Sequence, residues 1–167
     1  WLVDDDGRPT GPALLWNDAR ASAIAADWAA SGVLAELFQV NGSVGFGGLP
    51  HAQLRWLAEH EPERTARSAT VLTCGGWLFH CLTGRLAWDV SEASNPFLDA
   101  RTGEYSPTVL TELGLDWARR LLPEVVDGQQ RIAPLRETAA ARLGVPAGTP
   151  VVLGAYDVVS TAIGAGV

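Results

Sequence analysis

Apolar positions along the chain come in short clusters separated by turn-forming residues, a spacing that predicts many short elements rather than a few long ones. Leu2-Val3, the acidic turn Asp5-Asp6-Gly7 and Ala13-Leu14-Leu15-Trp16 read as two strands flanking a turn, because Asp-Gly readily supplies positive φ angles. Asn17 or Asp18 can cap a following helix that carries Ile24 and Trp28 on one face and stops at Gly32. A glycine-rich loop, residues 42–48, then leads to a helix opened by Pro50 and continued through Leu54, Leu57 and Ala58. Further helices are predicted over residues 77–83 before Gly84, from Ser106-Pro107 through Leu110 and Leu113 to Gly114, and over residues 136–143 before Gly144 and Pro146. Val151-Val152-Leu153 reads as a short strand of the buried type. Gly154-Ala155-Tyr156-Asp157 follows, and the residues beyond it are almost all small or apolar, which predicts strand, tight turn and a closely packed helix. Asp157 then sits at the carboxyl end of a strand, where open α/β sheets bind ligands.

Composition narrows the class. At 167 residues, 47% of them hydrophobic, the chain can form one well-buried core or most of one domain of a larger protein. It opens at Trp1 without an initiator, contains no methionine and closes on the small-residue run 162–167, so we expect an interior piece of a longer protein. The net charge is −7, and the twelve basic residues, all arginine, are scattered singly or as the pair Arg119-Arg120, which argues against a nucleic-acid footprint. No apolar run reaches the roughly 20 residues of a spanning helix, and Trp1-Leu2-Val3 runs into Asp4-Asp5-Asp6 unlike a signal peptide. The parent protein is therefore expected to be soluble and cytoplasmic, with no membrane partner. Cys74 and Cys81 fall about two turns apart in a predicted helix, roughly 10 Å along its axis, too far for a disulfide. The absence of lysine removes Schiff-base chemistry and the G-x-x-x-x-G-K-[ST] phosphate loop from this segment.

Asp157 admits two readings: a helix cap, the commoner role for an aspartate just after a strand, or a base within reach of a substrate hydroxyl at the strand's carboxyl end. Phe46, inside the glycine-rich loop, is a candidate lid over a bound ligand, against the plain reading of that loop as a connection. The element Trp16-Asn17-Asp18-x-Arg20 is read as scaffold, an ion pair or cap. Asp89, Ser91 and Ser94 suit a turn or cap whose side chains bond the backbone. His51, His60 and His80, with Cys74 and Cys81, lack the paired spacing of zinc sites and are read as packed or solvated, with no metal site in this segment.

An ordered set of motifs carries a resemblance: Leu15-Trp16-Asn17-Asp18-Ala19-Arg20, Leu82-Thr83-Gly84, Asp89-Val90-Ser91-Glu92-Ala93-Ser94, Leu121-Leu122-Pro123, Gly148-Thr149-Pro150-Val151 and Gly154-Ala155-Tyr156-Asp157. Together, in this order and over nearly the whole chain, they resemble the FGGY carbohydrate kinases, which include xylulose, ribulose, glycerol and erythritol kinases. The resemblance implies an α/β, ribonuclease H-like lobe of actin or hexokinase type, of which residues 1–167 form the later part of the N-terminal sugar-binding domain. The nucleotide-binding lobe and the early Asp-x-Gly-Thr phosphate turn would lie outside it.

It further implies ATP-dependent phosphorylation of a hydroxyl of an open-chain sugar or polyol, with Asp157 as general base and substrate contact; Phe46, read from its loop as a lid, would be a second substrate contact. ATP and Mg²⁺ would be bound mainly by parts outside the segment, leaving no cofactor-binding residue here and an isolated fragment that is inactive. The sugar or polyol is the expected partner, and a homodimer of the parent protein is compatible with it. Where the family often has Asn or Gln directly after the aspartate, Val158 stands here, implying the loss of a polar contact. The segment Thr102-Gly103-Glu104-Tyr105 is more like the xylulose and erythritol kinases than glycerol kinase. The alternative reading is a catalytically inactive sugar-binding or regulatory module of the same fold. A serine hydrolase is set aside, because Gly42-Ser43-Val44-Gly45 has neither the G-x-S-x-G spacing nor a strand before it.

Overall fold

The first strand takes its partner from far along the chain. In the computed structural model, which describes residues 1–167, β1 (Leu2–Val3) pairs antiparallel with β2 (Thr70–Val71), Leu2 opposite Val71 and Val3 opposite Thr70. The expected hairpin with residues 13–16 does not form. The acidic turn is present, its Asp4 carboxylate accepting the N–H groups of Asp6 and Arg8 at 3.0 and 2.8 Å, but the returning chain meets β1 only through a bridge between Val3 and Pro9. That bridge is closed by the Thr10 N–H donating to the Leu2 carbonyl and the Asp4 N–H to the Arg8 carbonyl, both at 2.9 Å, and it extends no further. Residues 10–15 are instead pinned by side chains: Arg67 and Arg64 donate to the carbonyls of Thr10 and Pro12, both at 2.6 Å, and Gln53 donates to that of Leu15 at 2.7 Å.

Helices α1 (Ser22–Ser31) and α2 (Val33–Asn41) are separated by Gly32, whose φ of 86° ends one helix and lets the next begin at once. Sequence periodicity identified the stop but not the second helix. The expected caps at Asn17 or Asp18 are not used: α1 starts at Ser22, and Asp18 instead accepts the backbone N–H and Nε of Arg20, each at 3.0 Å. Arg20 also approaches Glu61 at 3.8 Å and lies 4.7 Å over the Trp56 ring, so the Trp-Asn-Asp-x-Arg arginine is a packing hub. Helix α3 (Pro50–His60) opens on proline as the sequence predicts, and α4 (Pro62–Ala66) repeats the device.

The central layer follows. Helix α5 (Cys74–Thr83) packs on β3 (Ala87–Asp89) so closely that a Cβ on Gly76 would stand 2.8 Å from the Ala87 carbonyl oxygen. Strand β3 pairs in parallel with β4 (Glu124–Val126), Asp89 opposite Val126. Between them run α6 (Val90–Ala93), α7 (Pro107–Glu112) and a 3₁₀ turn, Asp116–Leu121. Ser106 caps α7 by accepting the Val109 N–H at 3.3 Å. Trp88 and Phe97, both fully buried with rings 5.7 Å apart, anchor a core that also takes in Leu2, Val3, Leu54, Leu57, Leu110 and Leu121.

The last layer is the antiparallel pair β5 (Ile132–Pro134) and β6 (Pro150–Val152), joined through α8 (Glu137–Leu143), after which α9 (Asp157–Gly164) closes the chain. Residues 151–153 do not make the fully buried strand that their apolar run predicts. The two-stranded ribbon is covered on one face, so pleat alternation buries Leu153 and leaves Val152 58% exposed. No residue of α9 is buried, although close packing was expected there. Cys74 and Cys81, both within α5, are free thiols.

His51 of α3 is fully buried and stacked on Trp28 at 5.4 Å, and neither ring nitrogen meets a hydrogen-bond partner. Burial disfavours the imidazolium and lowers its pKa from 6.5 to about 3. A depressed folded-state value means that this stability is present above pH 6.5 and is lost as pH falls towards about 3. Urea unfolding at pH 7 and pH 5 should show the wild type losing more stability than His51→Leu over that interval. Parallel losses in the two proteins would contradict it.

Candidate active site

One cleft of about 610 Å³ opens between the 14–16 segment, the glycine-rich loop, the start of α5 and the start of α9. Both residues singled out from the sequence, Asp157 and Phe46, line it. Leu14, Leu15, Trp16, Leu49 and Leu54 make the rest of its wall largely apolar, the character of a small-molecule site with a few directed polar groups.

Asp157 reaches the cleft because of what precedes it. Leu153 is buried at the end of the ribbon, three residues turn the chain, and Tyr156, extended at φ −67° and ψ 159°, sets the start of α9. Asp157 is the first helical residue. Its carboxylate accepts only the neighbouring Val158 N–H, at 2.9 Å, and its side chain is otherwise open to the cleft. A cap would bond the second or third N–H of the helix from the position before it, and that position belongs to Tyr156, which makes no side-chain cap. Val158, the departure from the family pattern, lines the cleft and is 59% exposed.

The loop bearing Phe46 is held by close packing. A Cβ on Gly45 would lie 2.8 Å from Leu34 and 3.0 Å from His51 Nε2, one on Gly47 would lie 2.8 Å from the Ser22 Cα, and one on Gly48 would fall 1.6 Å from the Trp16 carbonyl oxygen. None of these three has a positive φ, so their lack of a side chain serves approach and not left-handed turning. This contact also carries Trp16, 76% exposed, to the cleft wall beside Phe46. Sequence reasoning assigned Trp16 to scaffold. The signal available was a bulky aromatic directly before the turn formers Asn17-Asp18, where a strand cannot continue.

The floor holds Thr73, Cys74, Glu92 and Asn95. Thr73 caps α5, accepting the Gly76 N–H at 3.3 Å while donating to Glu92 Oε2 at 2.5 Å. Burial raises the Glu92 carboxyl above its ordinary value, opposed by the Thr73 hydrogen bond and reinforced by the negative charge of Asp89. Asp89 and Ser91 act as the sequence suggests, Asp89 capping α6 through the Ser91 N–H at 2.9 Å. The histidines lie apart: His51 in the core, His60 stacked on Trp56 at 4.4 Å, and His80 bonded to the carbonyls of Gly84 and Gly7. No helix is long and apolar enough to cross a membrane.

The side chains lining this cleft offer no free cation to a triphosphate. Arg64 is the one cationic side chain on the cleft wall, and its guanidinium is engaged by the Pro12 carbonyl at 2.6 Å and Glu61 at 3.0 Å.

Comparison with known proteins gives a consistent result. The model of the N-terminal domain of the FGGY family of carbohydrate kinases matches residues 1–164. The chain is 42% identical over 167 residues to an erythritol kinase of Brucella abortus, covering all of this chain and 32% of that protein. It is 38% identical to the L-xylulose/3-keto-L-gulonate kinase of Escherichia coli, covering all of this chain and 34% of that one. The chain thus spans about a third of the length of the curated relatives it matches. Among solved structures, the xylulose kinase of Lactobacillus acidophilus superimposes with a TM-score of 0.87 at 21% identity, over 99% of this chain and 34% of that one. The xylulose kinase of Rhodospirillum rubrum gives 0.85 at 26%, again over 99% and 34%. The α/β, ribonuclease H-like fold follows from these superpositions.

The packing of Gly48 has a measurable consequence. Gly48→Ala forces main chain against main chain and should cost about 1–3 kcal/mol of stability in denaturant unfolding. Gly154→Ala, where a Cβ meets nothing within 4 Å, should stay within about 0.5 kcal/mol of wild type. Equal effects at the two positions would show that the loop yields to the added methyl.

Proposed function

Because the chain belongs to the FGGY family of carbohydrate kinases, we propose that it forms the later part of the sugar-binding domain of a longer kinase that phosphorylates a hydroxyl of an open-chain sugar or polyol. Asp157 is the general base in this reading. The observation that carries it is the placement of its carboxylate at the start of α9, facing the cleft and bonded only to the adjacent Val158 N–H. A carboxylate with free acceptor positions can take the proton of a substrate hydroxyl as that oxygen becomes a nucleophile. The names of the relatives, erythritol kinase and L-xylulose/3-keto-L-gulonate kinase, favour a short polyol or ketose, and a cleft of about 610 Å³ has room for one.

The chain's own part in the reaction is binding and orientation. Trp16, Phe46 and Leu49 offer apolar faces against the carbon chain, while Asp157, Asn95 and Thr73 offer polar groups to its hydroxyls. Val158 adds an apolar surface next to the base. ATP and Mg²⁺ are assigned to parts of the longer protein outside residues 1–167, since the side chains here do not cradle phosphate.

Asp157→Asn in the full-length kinase, assayed with ATP and with erythritol or L-xylulose as acceptor, should lower kcat by roughly 10²–10⁴-fold. The acceptor KM should change far less, and thermal stability by no more than about 1 kcal/mol, because the amide keeps the local hydrogen bond. A variant with near wild-type kcat would remove Asp157 from the chemistry.

A further inference from the structure

The turn before Asp157 is tethered across the cleft floor by one hydroxyl. Asp89, the last residue of β3, is completely buried. Its Oδ2 accepts Arg131 Nη1 at 3.0 Å, and its Oδ1 accepts the backbone N–H of Ser91 at 2.9 Å together with the Ser91 hydroxyl. A serine hydroxyl has one proton and two lone pairs. With the proton committed to an ionised, acceptor-only carboxylate, the oxygen is left to accept, and it receives the Tyr156 N–H at 3.0 Å, 65 positions along the chain.

From Gly154 to Val167 this is the only hydrogen bond that leaves the segment: the others run within it, from Val158 to Asp157, from Ser160 to Ala155 and Tyr156, and along α9. No residue of that stretch is buried. We propose that Ser91, polarised by Asp89 and Arg131, is the positioning residue that holds the Asp157 carboxylate at the cleft.

The cap of α6 does not account for the hydroxyl. Asp89 caps through the Ser91 backbone N–H, which any residue but proline supplies. The side-chain oxygen does two things beyond the cap: it donates to Asp89 Oδ1 and accepts the Tyr156 N–H. Since Tyr156 sets the first residue of α9, loss of the bond frees the helix start to shift, and a displacement of about 1 Å at a reacting group is enough to cost about 10²-fold in rate.

This inference rests on the reading of Asp157 as base, and the experiment separates the two. In the full-length kinase, Ser91→Ala, Ser91→Thr and Asp157→Asn are compared by steady-state kinetics with erythritol or L-xylulose and by amide hydrogen exchange at Tyr156. Ser91→Ala should lower kcat by roughly 10–100-fold, leave the acceptor KM within about 3-fold, and accelerate exchange at Tyr156 while β3 and α5 keep wild-type protection. Ser91→Thr, which restores the hydroxyl, should recover both rate and protection. Wild-type kcat and unchanged Tyr156 exchange in Ser91→Ala, with Asp157→Asn inactive, would overturn the tether and leave the base standing. Normal turnover by Asp157→Asn would overturn the base instead, and Tyr156 exchange would still decide whether Ser91 holds the turn.

Discussion

A single buried carboxylate organises the region around the cleft. Asp89 has no exposed surface, and an ionised group in that position is tolerated only if its acceptor sites are filled. The fillers come from Arg131, just ahead of β5, and from Ser91 in α6. The parallel register sets Asp89 opposite Val126, and the fully buried Ala87 and Trp88 hold β3 in place. The carboxylate is thus fixed by the core, and the ribbon, the short helix and the turn into α9 take their positions from it. Neutralising Arg131 would leave Asp89 as an uncompensated charge in the interior.

Local chemistry made much of this legible before any coordinates. Pro50 and Ser106 marked helix starts, and Gly32, Gly84 and Gly144 marked helix ends, because each acts on the backbone within a turn of itself. The order of short motifs carried the family and, with it, the fold. What sequence periodicity misread were pairings decided at a distance. Residues 13–16 look like a strand but find no ladder, since Thr70 and Val71 take one edge of β1 and residues 8–10 meet the other. Residues 151–153 look uniformly buried but lie on a ribbon covered on one face.

The site divides the same way. Asp157 and Phe46 were visible as residue types at telling places in the motif order. Trp16 and Glu92 were not, because their presence at the cleft depends on contacts across the chain: the Trp16 carbonyl against Gly48, and Glu92 against the Thr73 hydroxyl. The glycine-rich loop shows how composition misleads. Glycines suggest freedom, yet Gly45, Gly47 and Gly48 are places where backbone and side chains approach too closely for a methyl group, so here glycine also serves packing.

The pairing of β1 with β2 reaches beyond the finished fold to its assembly. The backbone hydrogen bonds of Val3 and of the Trp1 main-chain nitrogen are completed by Ala69, Thr70 and Leu72, and the longest of these closes a span of 71 positions. At a synthesis rate of about 5–20 residues per second, the first strand waits on the order of several seconds on the ribosome before its partner exists. During that wait Leu2 and Val3, both destined for the core, lack their sheet partner, while α1 to α4 can already form from local contacts. Within this span, therefore, the four helices can form before the β1–β2 pair is able to close.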